Sequence, residues 1–330
     1  MVRRRHADLR AAGEHLTADR RHFVIFNPAS GRGGGGRRIT TYRRLLEEAL
    51  DQVTFGTTTC VGEERELAER AVEEGYDVVV AVGGDGTWSN VADRLLASGR
   101  TDVALGILPS GTGNDFGRSL GFDPSDPREA VRVLAAGHQR RVDVGRVDTP
   151  SAHEHLPARL ESRHFLNLVG FGFDIAVIDA VASARFLRGA LLYKVTALQQ
   201  LFRFPGVPVR LCGMSGAVRE GLHLMLTVCN GRYFGGGFPI APKATLEDGV
   251  LHTCSILDAR PLTRLRLFNL AERGRHVTSE RVAVLADRGF RLDFDAPPRF
   301  EVDGEVRRAP DSTLSLSVMP SALAVVAPAR

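Results

Sequence analysis

Lysine is nearly missing from this chain. Of its 43 basic residues only Lys194 and Lys243 are lysines, and the other 41 are arginines. That scarcity excludes chemistries built on one placed lysine. A Walker A loop needs Gly-Lys followed by Ser or Thr, yet Lys194 follows Tyr193 and Lys243 follows Pro242. The Val-Ala-Ile-Lys strand of protein kinases is missing too. Cysteine is also scarce. Cys60, Cys212, Cys229 and Cys254 form no Cys-x-x-Cys pair, so no zinc ribbon or redox motif is written here, and free thiols are expected. The first 20 residues are polar and charged and lack the apolar core of a signal peptide. The uncharged run from Ser312 to Ala329 opens with polar/apolar alternation and contains Pro320 and Pro328, which reads as strand rather than membrane span. A soluble cytoplasmic protein is expected. The net charge is only +4, with no long polybasic arm and no recognised nucleic-acid motif. Nucleic acid is therefore not an expected partner, whereas peripheral attraction to the anionic inner face of the cell membrane is.

What is present is an ordinary globular composition, 330 residues with 43% hydrophobic and 25% charged, enough for two domains. After a charged leader (1–20), short apolar runs at 22–26, 77–82 and 104–108 alternate with helical patterns near 40–49, 63–74, 89–97 and 127–136. That rhythm predicts a mostly parallel, doubly wound α/β domain over 21–141. From about 141 many strand-like segments follow at short spacing, among them 142–147, 165–169, 207–211, 222–229, 250–257, 290–294, 299–302 and 313–318. They predict a β-sandwich domain over 142–312, interrupted by a helical stretch at about 175–204 and a helix near 262–272.

Three loops at strand ends carry the chemistry. Asn27-Pro28-Ala29-Ser30-Gly31 runs into the glycines Gly33 to Gly36. Gly83-Gly84-Asp85-Gly86-Thr87 directly follows a valine-rich strand. Gly111-Thr112-Gly113-Asn114-Asp115-Phe116 follows Pro109-Ser110 at the end of another. Glycines at the carboxyl ends of parallel strands open room for phosphate, and backbone N–H groups approach it without a side chain in the way. Thr87 can donate a hydroxyl, Asp85 can orient a nucleotide or bind Mg²⁺ through oxygen, and Arg118 suits a phosphate. Asn114 and Asp115 can equally cap turns.

Together these motifs resemble the diacylglycerol kinase catalytic-domain family, in particular its soluble bacterial lipid kinases, which are related to sphingosine and ceramide kinases. The likeness continues through Asn167-Leu168-Val169-Gly170-Phe171-Gly172-Phe173-Asp174, Asn230-Gly231, Gly235-Gly236-Gly237, Ile240-Ala241-Pro242, Asp248-Gly249 and Val302-Asp303-Gly304-Glu305, covering about 22–325. The resemblance implies a nucleotide-binding α/β domain similar to that of NAD kinases and phosphofructokinases, plus a C-terminal β-sandwich, with the strands at about 313–326 returning to the first domain. It implies ATP at Asn27, Pro28, Ser30, Gly31, Thr58, Gly83, Gly84, Asp85, Gly86, Thr87, Gly111, Thr112, Asn114 and Asp115. It also implies a structural Mg²⁺ on Asp248 and the carbonyls of Thr245 and Val250. Two departures stand out: Gly62-Glu63-Glu64 where the family has Gly-Asp-Ala, and Trp88-Ser89-Asn90 where it has an apolar residue and then Asn-Glu.

The catalytic candidates are Asp303, Glu305 and Asp85. Phosphoryl transfer is mostly positioning and charge stabilisation, with a carboxylate orienting the attacking hydroxyl. On an extended chain Asp303 and Glu305 would share one face, provided that Gly304 introduces no bend. Either could be the base, and Asp85 would handle the catalytic Mg²⁺. The expected reaction is ATP-dependent phosphorylation of a lipid alcohol such as diacylglycerol. The apolar stretch Phe186, Leu187, Leu191, Leu192, Val195, Leu198, Leu201, Phe202 is a candidate lipid-facing helix, with core packing as the plain alternative. An NAD kinase-like enzyme and a non-catalytic lipid-binding relative are the competing readings. A dehydrogenase is disfavoured because Asn27-Pro28 occupies the turn where Gly-x-Gly-x-x-Gly would begin. A strand edge left open in the sandwich could pair with a second copy to form a homodimer.

Overall fold

The computed structural model describes residues 20–30, 35–60, 62–150, 160–183 and 198–329. The leader, Gly31 and most of the apolar stretch after Ser183 lie outside them, Phe186, Leu187, Leu191, Leu192 and Val195 included. The chain forms two units, Met1–Val144 with Pro320–Arg330, and Gly145–Met319.

In the first unit β1 (His22–Phe26), β2 (Val53–Thr57), β3 (Val78–Gly83) and β4 (Ala104–Pro109) alternate with α1 (Gly35–Ala49), α2 (Glu63–Glu73) and α3 (Asp85–Ala97), followed by α4 (Asp115–Leu120) and α5 (Pro127–Ala136). The strand order is β2-β1-β3-β4-β15, all parallel, where β15 is Thr313–Val326 and contributes its last residues through Ala324↔Ala104 and Val325↔Leu105. The three central strands β1, β3 and β4 are apolar and buried at every position after His22, as a parallel sheet covered on both faces requires. The helix ends are written locally. Asp126 caps α5 by accepting from the amides of Arg128 (2.9 Å) and Glu129 (3.1 Å), Pro127 opens the helix, and Gly137 closes it in the left-handed region.

The second unit is antiparallel throughout its paired strands. β7 (Leu168–Gly172), β8 (Val207–Gly213), β9 (Val218–Cys229), β12 (Gly289–Phe294), β13 (Arg299–Val302) and β14 (Glu305–Arg308) lie in the order β14-β13-β7-β9-β8-β12-β15. β10 (Leu251–Leu257) pairs with β9 and β11 (Val282–Asp287), and β5 (Gln139–Pro150) pairs with β6 (Leu160–Phe165). Side chains alternate between two cores. Val169, Phe171, Leu226 and Val228 enter one with Phe165, Leu292 and Phe300, while Leu168, Met225 and Cys229 enter the other with Val177 and Leu267. The last two come from α6 (Phe173–Ser183) and α7 (Pro261–Ala271), which cover the second core.

Three strands escape the sequence reading, β6, β11 and β14, and the strand expected over 165–169 is broken at 166–167. The reason for the break is long-range: the amides of Leu166, Asn167 and Leu168 turn toward Asp303. Of the helix expected over 175–204, Phe173–Ser183 and 198–203 are helical, and 184–197 lie outside the described residues. Among the described residues no helix is long and apolar enough to cross a membrane.

Candidate active site

The glycine loops of the first unit are tied to one another before any ligand is considered. Asn27 donates from Nδ2 to Thr87 Oγ1 (3.0 Å), linking the loop after β1 to the first turn of α3. Its Oδ1 accepts from the Ala29 amide (3.0 Å), which shapes the turn at Pro28. The hydroxyls of Ser30 and Ser110 meet at 2.7 Å. The Gly83 carbonyl accepts from the amides of Ser110 (2.7 Å) and Gly111 (3.1 Å). Arg38 and Tyr42 on α1 both donate to the Pro109 carbonyl, at 3.0 and 2.8 Å.

This closeness explains the glycines. A Cβ on Gly111 would lie 2.6 Å from Gly84 Cα, and one on Gly83 would lie 2.5 Å from the Thr87 side chain. The loops therefore meet backbone to backbone, and no other residue type permits that approach. Asn114 sits beside the contact in the left-handed region (φ 57°), donating from Nδ2 to the Gly111 carbonyl (2.9 Å). Its buried Oδ1 has no partner, which leaves one acceptor available to a donor group on a bound molecule. Thr112 is exposed at the loop tip, while Gly86 lies in the first turn of α3.

Asp85 opens α3, and its carboxylate reaches across to the loop after β4. Oδ1 accepts from the Phe116 amide at 3.0 Å, and the amides of Asn114 and Asp115 also pull its pKa down. Burial dominates and holds the pKa above the ordinary value, although part of the residue's surface stays open. Asp115 is buried beside it, with Arg118 Nε 3.9 Å from Oδ1. Thr58 is buried, and its hydroxyl bonds the Phe26 carbonyl at 3.3 Å, so in this structure it braces β1. The two departures from the family pattern meet each other. Asn90 donates to Glu64 Oε1 (2.6 Å) and accepts from Arg65, which joins α2 to α3.

In the second unit, Asp303 and Gly304 form the two-residue turn between β13 and β14, with φ of 48° and 90° and Val302 paired to Glu305. Positive φ at both positions is the type I′ pattern that Asp-Gly favours. Gly304 thus does bend the chain, and the shared face expected for an extended Asp303-Gly304-Glu305 is not formed. The two carboxylates have different surroundings. Asp303 is buried and accepts three amides, Leu166 on Oδ2 (2.7 Å) and Asn167 and Leu168 on Oδ1 (2.9 Å each). Glu305 is partly exposed, with Arg307 at 3.0 Å and Arg163 at 3.6 Å from Oε2.

At the Asp248 loop, where the resemblance implies a cation, the carboxylate has neighbours of its own. It accepts from the amides of Thr245 and Val250 (3.2 Å each), and His252 Nε2 lies 3.0 Å from Oδ2. The loop turns at Gly249 (φ 71°), and among the described residues no three His, Cys, Asp or Glu side chains gather in one place. The Asp248 carboxylate and the carbonyls of Thr245 and Val250 are oxygen donors of the kind Mg²⁺ takes, and water would complete the shell of an ion held there.

One feature escaped the choice of site residues. A small apolar cavity of about 70 Å³ opens between α6, α7 and the sheet of the second unit, lined by Phe173, Val177, Leu201, Leu224 and Phe268. Asp174 stands in its wall, buried, with neither carboxyl oxygen hydrogen-bonded. Burial pushes its pKa up to about 7. Gly170 makes room for this carboxyl, since a Cβ there would collide with Asp174 and lie 2.9 Å from Glu301 Oε1. The only sequence signal was its place at the end of the Asn-x-x-Gly-x-Gly-x-Asp segment.

Comparison with known proteins agrees with this layout. Residues 21–147 match the model of the diacylglycerol kinase catalytic domain, and residues 167–327 match that of the YegS C-terminal NAD kinase beta sandwich-like domain. A diacylglycerol kinase of Mycobacterium tuberculosis is 30% identical over 322 residues, covering 94% of this chain and 97% of its own. One of Staphylococcus saprophyticus is 29% identical over 288 residues, covering 87% and 89%. A solved structure of a diacylglycerol kinase from Bacillus anthracis superposes with a TM-score of 0.67 at 18% identity, over 93% of this chain and 97% of that one. A second structure from that organism reaches 0.73 at 19% identity over 96% and 97%. At such identities these structures speak for the fold. With both domain models matched in order and a relative at 30% identity along nearly the whole chain, the protein belongs to the diacylglycerol kinase family.

Proposed function

We propose that this protein transfers the γ-phosphate of ATP to the hydroxyl of a lipid alcohol, with diacylglycerol as the first candidate because the similar proteins are named for it. The observation that carries the lipid assignment is the apolar cavity of the second unit, whose lining offers almost nothing polar except Asp174 and Arg264. An apolar lining of this kind suits the end of an acyl chain, and Asp174 in its protonated form can hydrogen-bond an ester or hydroxyl that reaches it. The nucleotide is assigned to the glycine loops of the first unit. The Gly84–Gly111 approach, the free Asn114 Oδ1 and the exposed Thr112 support that reading.

The two carboxylates of Asp303-Gly304-Glu305 divide the work. A carboxylate that already accepts three amides is a weak base, because protonation would forfeit those bonds. Asp303 therefore positions the turn, and Glu305, which is partly open to solvent, is the general base. The acceptor oxygen forms a bond to the γ-phosphorus, its proton passes to Glu305, and the bond from that phosphorus to the bridging oxygen breaks to leave ADP. Asp85, whose Oδ1 accepts from the Phe116 amide, is the carboxylate that would face a Mg²⁺ ion arriving with the nucleotide, which would neutralise phosphate charge there. The test is an assay with γ-labelled ATP against diacylglycerol, sphingosine, ceramide, phosphatidylglycerol, an isoprenoid alcohol and NAD, with products identified by mass. Label on a lipid alcohol is the expected result, and label on NAD alone would refute the assignment.

A further inference from the structure

Helix α7 divides two environments. Its inner face is buried and walls the apolar cavity through Arg264, Leu267, Phe268 and Ala271. Arg264 straps it to the neighbouring helical turn, donating from Nη1 to the carbonyls of Leu201 (2.7 Å) and Phe204 (2.9 Å), and its Nη2 pairs with Asp258 at 2.5 Å. The outer face is unlike an ordinary solvated surface. Leu262 is 80% exposed, the most exposed large apolar side chain among the described residues. Leu198 and Phe202, on the turn that Arg264 holds, are also exposed. Around Leu262 the charge is one-sided. From Arg260 to Arg275, apart from the inward Arg264, there are four arginines and a single acid, Glu272. Arg260, Arg266, Arg273 and Arg275 are all exposed.

We propose that the outer face of α7, with the turn that follows it, docks on an anionic phospholipid bilayer, with Leu262 entering the acyl boundary and Arg266, Arg273 and Arg275 meeting the headgroup phosphates. An apolar side chain or a basic cluster alone gives only weak, reversible attachment, whereas the two together give stable peripheral binding. The inference rests on the lipid-kinase reading in one respect: the face that meets the bilayer belongs to the helix whose other face lines the cavity assigned to the lipid. Charge selects the partner. A zwitterionic surface or a second copy of this chain offers no excess of negative charge to match the arginines.

The test is co-sedimentation of the full chain with vesicles of three parts phosphatidylcholine to one part phosphatidylglycerol, and with vesicles of phosphatidylcholine alone. The wild type should partition at least tenfold more strongly onto the anionic vesicles and leave them at high salt. Replacing Arg266, Arg273 and Arg275 together by Ser should weaken binding roughly a hundredfold, at about fivefold per arginine. Leu262→Asp should weaken it by about tenfold or more. Turnover of a dispersed short-chain diacylglycerol should be unchanged in both variants, which shows that they are folded. The proposal is overturned if the triple variant sediments like the wild type. It is equally overturned if Met214→Asp, at an exposed methionine on another hairpin, removes binding while Leu262→Asp does not. Leu262→Asp dissolving a dimer with vesicle binding intact would assign the face to self-association instead. If the wild type binds anionic vesicles but phosphorylates no short-chain lipid, docking stands and the kinase reading fails.

Discussion

Asp303→Ala separates holding from chemistry. The carboxylate satisfies three amides, those of Leu166, Asn167 and Leu168, in a region where all three residues are buried. Alanine supplies no acceptor, and water has little access, so each amide loses a charge-assisted bond and stays desolvated. An unsatisfied buried donor costs about 1–3 kcal/mol. The residue also sits at φ 48°, where alanine is strained by about 1 kcal/mol while Asp and Asn are tolerated. Allowing for relaxation and non-additivity, the loss should be about 4 kcal/mol. For a domain of about 150–250 residues that lowers the melting temperature by roughly 8–16 °C. Asp303→Asn keeps the turn preference and one acceptor oxygen but points N–H groups at an amide, so it should fall between the two. Thermal unfolding followed by far-ultraviolet circular dichroism, with calorimetry to resolve separate transitions, measures both variants. Asp303→Ala melting within about 2 °C of the wild type would refute the holding role and return Asp303 to the list of candidate bases.

Glu305→Gln should do the reverse, lowering kcat by about 10²–10⁴-fold while the melting temperature barely moves, since partly exposed pairs with Arg163 and Arg307 contribute about 1 kcal/mol or less. Gly111→Ala forces a Cβ to within 2.6 Å of Gly84 Cα, so the loops must part. Steady-state kinetics should show kcat/KM for ATP reduced about tenfold or more, and urea unfolding a loss of about 1–3 kcal/mol. Asp174 gives a pH signature. Its folded pKa of about 7 against 3.8 means that the folded state binds the proton more tightly, so its stabilising contribution is full below about pH 4 and is lost as pH rises through 7. Asp174→Asn removes that dependence, and urea midpoints should show it gaining on the order of 3 kcal/mol relative to wild type between pH 5 and pH 8. Parallel pH profiles for the two proteins would contradict the buried, neutral carboxyl.

The parts of the fold legible in the sequence are those written locally. Apolar runs such as Val78 to Val82, ending in glycines, mark parallel strands and the loops after them, because full burial and backbone approach leave few residue types to choose from. β11 and β14 were missed because no position of either is fully buried. Val282 to Asp287 alternates exposed and half-buried positions, and Glu305 to Arg308 carries three charges in four residues. The Asp303-Gly304 turn was written in the sequence, since Asp-Gly is a strong hairpin signal, but the paired carboxylates drew attention to spacing rather than to turn chemistry. The partners of Asp303 lie 135–137 residues away, and no local pattern announces them. Asp174 was invisible as a site residue for the same reason. What singles it out is an apolar cavity assembled from α6, α7 and distant strands.

Strand β15 bears on the order of assembly. It begins in the second unit opposite β12 and ends in the first beside β4, where Val325, Val326 and Ala327 are fully buried. A ribosome therefore releases residues 20–144 without the strand that covers β4, and more than 170 further residues must be made before it appears. During that interval the nascent first unit presents an unpaired apolar strand edge of the kind that recruits chaperones or aggregates. Folding of the glycine loops is thus coupled in time to the synthesis of the second unit, and an unfinished chain lacks the final strand of its parallel sheet.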